Sequence, residues 1–170
     1  MTSTPPSSPT GHRAPARPLR AMGVDYGTRR VGLALSDPTG TLATPLTTLV
    51  RRHGKRAPVG RIVELARRHD VDRFVLGLPL HPQEGENTWT AEARKFGRRL
   101  RDRSGLPVHF IDESYSSAEA EARIRFVGAK RAKREDKARI DAGAAAIILQ
   151  DWLDARALDA PADRDGGGAA

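Results

Sequence analysis

Several acidic residues lie at the ends of predicted strands and at the start of a predicted helix, where α/β proteins often carry functional side chains. Asp25 ends the first short apolar run, and Asp112 and Glu113 follow the run at 107–111. Asp141 opens the last long apolar stretch. Because the carboxyl ends of parallel strands open at one edge of a sheet, acids from separate segments can converge there. Carboxylates that converge repel one another unless a divalent cation neutralises them, so the pattern predicts metal-assisted chemistry.

Each of these acids also has a purely structural interpretation. An Asp at the end of a strand is often a turn residue, which would account for Asp25. Asp112 could cap a loop, and Asp141 could be the N-cap of an apolar helix. Spacing alone does not bring the acids together, so both interpretations stay open at this point.

The composition narrows the chemistry further. With 170 residues, of which 38% are hydrophobic, the chain is long enough for one domain with its own core. It has no cysteine, which excludes thiolate zinc sites, iron–sulfur clusters and cysteine nucleophiles. Its five histidines show no metal-ligand spacing. Carboxylate oxygens without thiolates favour Mg²⁺ over zinc.

A formal net charge of +8 indicates an anionic partner, nucleic acid first. Segments 51–56, 91–104 and 130–139 contribute +4 each. The middle one lies on a predicted helix and is typical of a solvated face. The last one, predicted to be a basic loop directly before Asp141, would lie at the mouth of the acidic site and hold phosphates. The residues predicted to bind nucleic acid are Arg29, Arg30, Lys130, Arg131, Lys133, Arg134 and Lys137.

Apolar periodicity predicts a three-stranded meander followed by alternating helices and strands. This order predicts a single α/β domain with a mixed sheet of five strands. We expect residues 19–157 to fold and residues 1–18 and 158–170 to be disordered. No apolar run approaches the roughly 18 residues of a membrane span, so we expect a cytoplasmic protein without a membrane partner. The predicted strands are 19–26, 30–37, 41–49, 72–80 and 107–113, and the predicted helices are 58–70, 88–105, 116–128 and 140–157.

Five ordered blocks of the sequence resemble one family. They read GVDYGTRRVGLALSD, VLGLPL, AEARKFGRRL, IDES followed by SAEAEAR, and ID followed by AAAIILQDWLD. Together they span essentially the whole predicted folded unit. The chain resembles the YqgF family, small bacterial proteins of the ribonuclease H-like fold that are associated with Holliday-junction resolution or with pre-16S ribosomal RNA cleavage.

The resemblance implies a metal-dependent nuclease that hydrolyses phosphodiester bonds. The family pattern matches Asp25, Glu113 and Asp141, which it implies are the catalytic carboxylates that hold Mg²⁺ or Mn²⁺. It favours 5′ maturation of pre-16S ribosomal RNA, with branched DNA at Holliday junctions as the alternative substrate. Ribosomal particles are then implied as partners, and the chain could be a monomer or a homodimer.

The chain departs from the family pattern at two positions. The family has Arg after the second acid, whereas Ser114 follows Glu113 here. This replacement removes a guanidinium that could contact phosphate, so a catalytically weak RNA- or ribosome-associated binding protein is a further alternative. The loop after Leu80 begins with His81, where relatives have Asn, and we interpret His81 as a solvated loop residue.

The turn VDYGTRRVG also resembles the phosphate loop of the sugar kinase, actin and heat-shock chaperone ATPases. Those proteins need two such domains around ATP, and 170 residues provide one. A second phosphate-binding Gly-Thr loop is absent from the sequence, so an ATPase is the less favoured function.

Overall fold

A five-stranded mixed sheet with helices on both faces forms the described part of the chain. The computed structural model describes residues 20–51, 57–78, 87–112 and 134–159, without the side chains of 134–138 and 159. The strands are β1 (Ala21–Tyr26), β2 (Arg30–Ser36), β3 (Ala43–Val50), β4 (Arg73–Leu78) and β5 (Val108–Asp112). The helices are α1 (Val59–Arg68), α2 (Thr88–Ser104) and α3 (Arg134–Asp159). In these ranges, no helix is long and apolar enough to cross a membrane.

The order of the strands in the sheet is β3-β2-β1-β4-β5. β1, β2 and β3 pair antiparallel, as the predicted meander requires. β4 pairs parallel with β1, and β5 pairs parallel with β4. The carboxyl ends of β1, β4 and β5 therefore open at the same edge, which confirms the predicted α/β fold and the convergence of strand ends.

The two faces of the sheet carry side chains of different size. In β1, Met22, Val24 and Tyr26 belong to the large core that packs against α1 and α2. The alternate residues are small and face α3: a Cβ added at Gly23 would lie 2.6 Å from the carbonyl oxygen of Ala145. Small residues thus allow α3 to lie directly against the centre of the sheet.

The last helix begins earlier than its apolar pattern predicts. Residues 134–139, predicted to belong to a basic loop, form the first turns of α3. Glu, Lys, Arg and Ala are good helix formers, so these turns can be helical although their sequence has no apolar periodicity. Asp141 is therefore inside the helix and does not open it, so its interpretation as an N-cap is wrong. The predicted helix 116–128 lies outside the described residues. So do six residues with a role or an interpretation assigned from the sequence: His81, Glu113, Ser114, Lys130, Arg131 and Lys133.

Candidate functional site

Asp25 is placed beside α3 by the register of the β1–β2 hairpin. It pairs directly with Gly32 on β2, and paired residues of antiparallel strands project to the same face. A Cβ at Gly32 would lie 2.0 Å from the carbonyl oxygen of Asp141, so that face is the one that α3 covers. Asp25 and Asp141, distant in sequence, therefore lie on one face at the carboxyl end of β1.

The carboxylate of Asp141 has unusual surroundings. Its Oδ2 atom is buried and accepts no hydrogen bond from the residues that the structure describes. The Nε atom of Arg30 lies 2.7 Å from this oxygen, but an ion pair at that distance without an aligned N–H is an electrostatic contact only. A buried anionic oxygen without a hydrogen bond is costly unless a cation compensates it. This oxygen is suited to be a cation ligand.

Basic side chains border this carboxylate at the β1–β2 turn. Arg30, predicted to bind nucleic acid, begins β2 and is paired with Asp141. Arg29, also predicted to bind nucleic acid, is exposed in the turn. Arg134 and Lys137 lie on the first turns of α3, ahead of Asp141 on the same helix. Sequence reasoning did not predict the pairing of Arg30 with Asp141, although alternation along β2 puts Arg30 and Gly32 on the same face.

An aromatic stack supports the turn from the opposite face of the sheet. The ring of Tyr26 is buried between those of Trp89 and Phe96, at centroid distances of 5.1 and 4.4 Å. The guanidinium of Arg51 lies 4.8 Å from the centre of the Tyr26 ring, and its Nη1 donates a hydrogen bond of 3.0 Å to the carbonyl oxygen of Gly27. These contacts fix the backbone that directly follows Asp25.

Asp112 lies on the other face of the sheet. It pairs with Leu78, which belongs to the core against α1 and α2. Asp25, near the end of β1, and Asp112, at the end of β5, therefore lie on opposite faces of the sheet, and Asp112 is the poorer candidate for a metal ligand.

His109 has a structural role on β5. Its ring packs against that of Trp152 at a centroid distance of 5.2 Å. Burial, together with the positive charges of Arg73 and Arg156, lowers the pKa of His109 below its ordinary value. The imidazole is therefore neutral near pH 7 and forms part of the packing between β5 and α3.

The described acids fit a hard divalent cation. No cluster of three or more potential metal ligands occurs among the residues that the structure describes. Asp25 and Asp141 supply two carboxylates on one face of the sheet. Mg²⁺ is commonly bound by one or two carboxylates together with water and substrate phosphates, so two suffice. The buried oxygen of Asp141, to which no described group donates a hydrogen bond, fits such an ion.

The mixed sheet and the acids at its edge define the class of protein to which the chain belongs. Comparison with solved structures identifies the fold of that class. A RuvC from T. thermophilus, solved in complex with a Holliday junction substrate, matches 82% of this chain and 96% of its own length. The TM-score is 0.52 at 20% sequence identity. The chain is thus an α/β protein of the ribonuclease H-like fold.

Sequence comparison identifies the family within that class. The family model RuvX, described as Holliday junction resolvase, matches residues 19–155. A protein of Anaeromyxobacter dehalogenans named "Putative pre-16S rRNA nuclease" is 44% identical over 139 residues, which are 82% of this chain and 99% of that protein. Proteins of the same name from Mycobacteroides abscessus and Synechocystis are 37% and 38% identical, covering 91% and 83% of this chain and 92% and 91% of their own lengths. The chain belongs to the RuvX family, also called YqgF, which confirms the resemblance found in the sequence.

Proposed function

We propose that the protein is a divalent-metal-dependent nuclease that cleaves precursor 16S ribosomal RNA in the maturation of its 5′ end. The nuclease class, a hydrolase of phosphodiester bonds, follows from the RuvX family. The ribosomal RNA substrate is supported by the name that the relatives share. We place this activity in the cytoplasm, with precursor ribosomal particles as partners.

The observation that carries the proposal is the buried Oδ2 atom of Asp141, which accepts no hydrogen bond from any described residue and lies on the same face as Asp25. A carboxylate with only a structural role would be hydrogen-bonded or solvated. The register of β1 with β2 and the close contact of α3 place both acids at the carboxyl end of β1. Side chains positioned in this way fit a preorganised set of metal ligands.

Asp25 and Asp141, together with Glu113, would hold Mg²⁺ or Mn²⁺ in this proposal. When bound, the ion would activate water and stabilise the leaving oxygen. The chain's own basic groups hold the nucleic acid, because cations next to an acidic centre neutralise backbone phosphates. The proposed phosphate-binding residues are Arg29, Arg30, Lys130, Arg131, Lys133, Arg134 and Lys137.

Branched DNA is the second candidate substrate. The family model is described as a Holliday junction resolvase, and junction DNA presents the same phosphodiester to the same carboxylates. Resolution of a four-way junction needs two active sites, so this activity would require a homodimer, whereas trimming an RNA end needs only a monomer.

A cleavage assay on a panel of substrates tests the proposal. The full chain is incubated with 5′-extended pre-16S RNA, unstructured RNA and a four-way DNA junction, with Mg²⁺, with Mn²⁺ or with EDTA. We expect metal-dependent cleavage of the pre-16S RNA, and a fall in rate of at least about a hundredfold in Asp25→Asn, since loss of one ligand removes much of the metal site. The mass of the chain in solution, measured in parallel, gives its oligomeric state.

Asp112→Asn is the matched control, since it makes the same chemical change at the carboxyl end of β5, two strands from β1 and on the opposite face. It should cleave at close to the wild-type rate. Preferred cleavage of the junction would assign the second substrate, and binding without cleavage would indicate an RNA-binding protein. Undiminished cleavage by Asp25→Asn would refute the carboxylate mechanism.

A further inference from the structure

The ion pair between Arg30 and Asp141 engages the oxygen that the proposed metal would need. The Nε atom of Arg30 lies 2.7 Å from Oδ2 of Asp141, and the two side chains are 31% and 26% exposed. Within the described ranges, no group donates a hydrogen bond to the same oxygen. The guanidinium of Arg30 and a divalent cation would therefore compete for the carboxylate of Asp141.

The geometry of the pair differs from that of a structural salt bridge. Arg and a carboxylate that hold a fold together form aligned, often paired, N–H···O bonds. Here the charges are close but the N–H is not aligned with the oxygen, so the contact is mainly Coulombic. Such a contact neutralises Asp141 through the charge of the guanidinium.

The fold holds the carboxylate of Asp141 close to Arg30. Close contact between Gly32 and the backbone of Asp141 holds this part of α3 against β2, so the carboxylate cannot withdraw into solvent with its helix. A partly buried carboxylate without a counter-charge is costly. Arg30, on the same face of β2 as Gly32, is placed to supply that charge.

We propose that Arg30 is an exchangeable counter-cation: it neutralises Asp141 in the metal-free protein and competes with the divalent ion for that carboxylate. This inference rests on the proposed metal-dependent function and assigns Arg30 a role toward the metal ligand itself. Arg30 is then a positioning residue that acts through Asp141. Its removal should strengthen metal binding, whereas removal of a residue that orients Asp141 for the metal would weaken it.

Titration of the metal-free full chain with Mn²⁺, followed by calorimetry, tests this proposal. Removing a positive charge that competes for the ligand should lower the Kd for Mn²⁺ in Arg30→Gln by about fivefold. Arg30→Lys keeps the competing charge and should stay within about twofold of wild type. Arg29→Gln changes the net charge equally at the neighbouring exposed position, and its Kd should also shift by less than about twofold.

Thermal melts provide a second measurement that does not depend on activity. In EDTA, Arg30→Gln should melt several degrees below wild type because Asp141 is left uncompensated. Saturating Mn²⁺ should close most of that gap, because the ion binds the folded state and replaces the missing charge. Arg29→Gln should melt close to wild type under both conditions.

The outcomes separate this inference from the proposed function. A Kd that is lower only in Arg30→Gln, with a melting gap that Mn²⁺ closes, supports the exchange. A Kd that is unchanged or higher in Arg30→Gln, while wild type binds Mn²⁺, overturns the exchange and leaves the metal-dependent nuclease standing. Absence of Mn²⁺ binding to wild type, at concentrations that support cleavage in metal-dependent nucleases, overturns both.

Discussion

Asp141 differs from other acids of the chain in its surroundings and not in its charge. Glu64 pairs with Arg61 at 2.7 Å, and about half of each side chain is exposed to solvent. Solvent screens a pair of this kind, which therefore contributes little to stability. Asp141 has a buried oxygen that lies close to a guanidinium and that receives no hydrogen bond in the part of the chain that the structure describes. The residue type and position were predictable from the sequence, but the neighbour that neutralises it was not, because the contact joins distant segments.

Asp37 shows how a carboxylate behaves when hydrogen bonds satisfy it. In the turn between β2 and β3, it accepts hydrogen bonds from the backbone N–H groups of Leu42 and Thr41, at 3.0 and 2.7 Å, and from the hydroxyl of Thr39. These bonds, that of Leu42 first, hold the pKa of Asp37 well below its ordinary value of 3.8. The ionised carboxylate is thus a structural part of the turn.

We expect Asp37→Asn to reduce stability in a pH-dependent way. A lowered folded-state pKa stabilises the fold above the unfolded pKa, and this contribution is lost as pH falls through the folded value. The free energy of unfolding, measured in urea, should therefore differ between wild type and Asp37→Asn at pH 7, and the difference should shrink at about pH 2.5.

Asp102→Asn is the control for this prediction, since Asp102 is an exposed acid on α2 that pairs only loosely with Arg101, at 3.5 Å. It should change the free energy of unfolding little at either pH. A difference for Asp37→Asn that stays constant from pH 7 to acid would contradict the assigned hydrogen-bonded carboxylate.

At the scale of elements, hydrophobic patterning predicted the sheet better than it predicted the last helix. The predicted strands 19–26 and 30–37 correspond to β1 and β2, because short apolar runs bounded by Gly, Asp and Thr leave few other structures. The start of α3 could not be predicted from apolar periodicity, because the sequence of its first turns is charged and has no apolar stripe. Glycines within β1 and β2 were the available signal that a helix backbone approaches the sheet.

The approach of α3 to β2 is limited to what a glycine allows. A Cβ at Gly32 would lie 2.0 Å from the oxygen and 2.5 Å from the carbon of the Asp141 carbonyl, so Gly32→Ala forces the helix to move. Overpacking of this kind costs about 1–3 kcal/mol. We expect that loss in the free energy of unfolding, and a larger proportional loss of cleavage, because the two acids are displaced relative to each other.

Gly143→Ala is the matched control on α3, because a Cβ added there meets nothing within 4 Å. The same substitution in the interior of a helix stabilises by about 0.5–1 kcal/mol. Urea unfolding of both variants, with cleavage rates measured in parallel, distinguishes them. Equal stabilities for Gly32→Ala and wild type would show that α3 does not approach β2 as closely as described.

On the scale of the whole molecule, positive charge is spread over both helical layers, but only part of it borders the acids. Arg29 and Arg30 lie at the β1–β2 turn, and Arg134 lies at the start of α3, seven residues before Asp141. The exposed arginines of α2 belong to the opposite face of the sheet. The net charge of +8 predicted an anionic partner, and the sequence already favoured the basic segment before Asp141 over the one at 91–104 as the nucleic-acid-binding cluster.

Two charge-matched variants separate the basic residues near the acids from those that are merely solvated. Neutralising Lys130, Arg131, Lys133 and Arg134 removes four positive charges from the segment before Asp141. We expect weaker binding of pre-16S RNA and a slope of log K against log salt that flattens by about 3 units, since each lost phosphate contact contributes somewhat less than one unit.

Neutralising four exposed arginines of α2, which are Arg98, Arg99, Arg101 and Arg103, removes the same charge from the other face. This variant should weaken binding only through the net charge, with a slope change below about one unit, because these side chains make no close phosphate contacts in the proposed complex. Filter binding of RNA across a salt series, in EDTA to prevent cleavage, measures both slopes. If the two variants flattened the salt slope equally, the nucleic acid would be held by the overall charge of the molecule and not by the basic residues near Asp25 and Asp141.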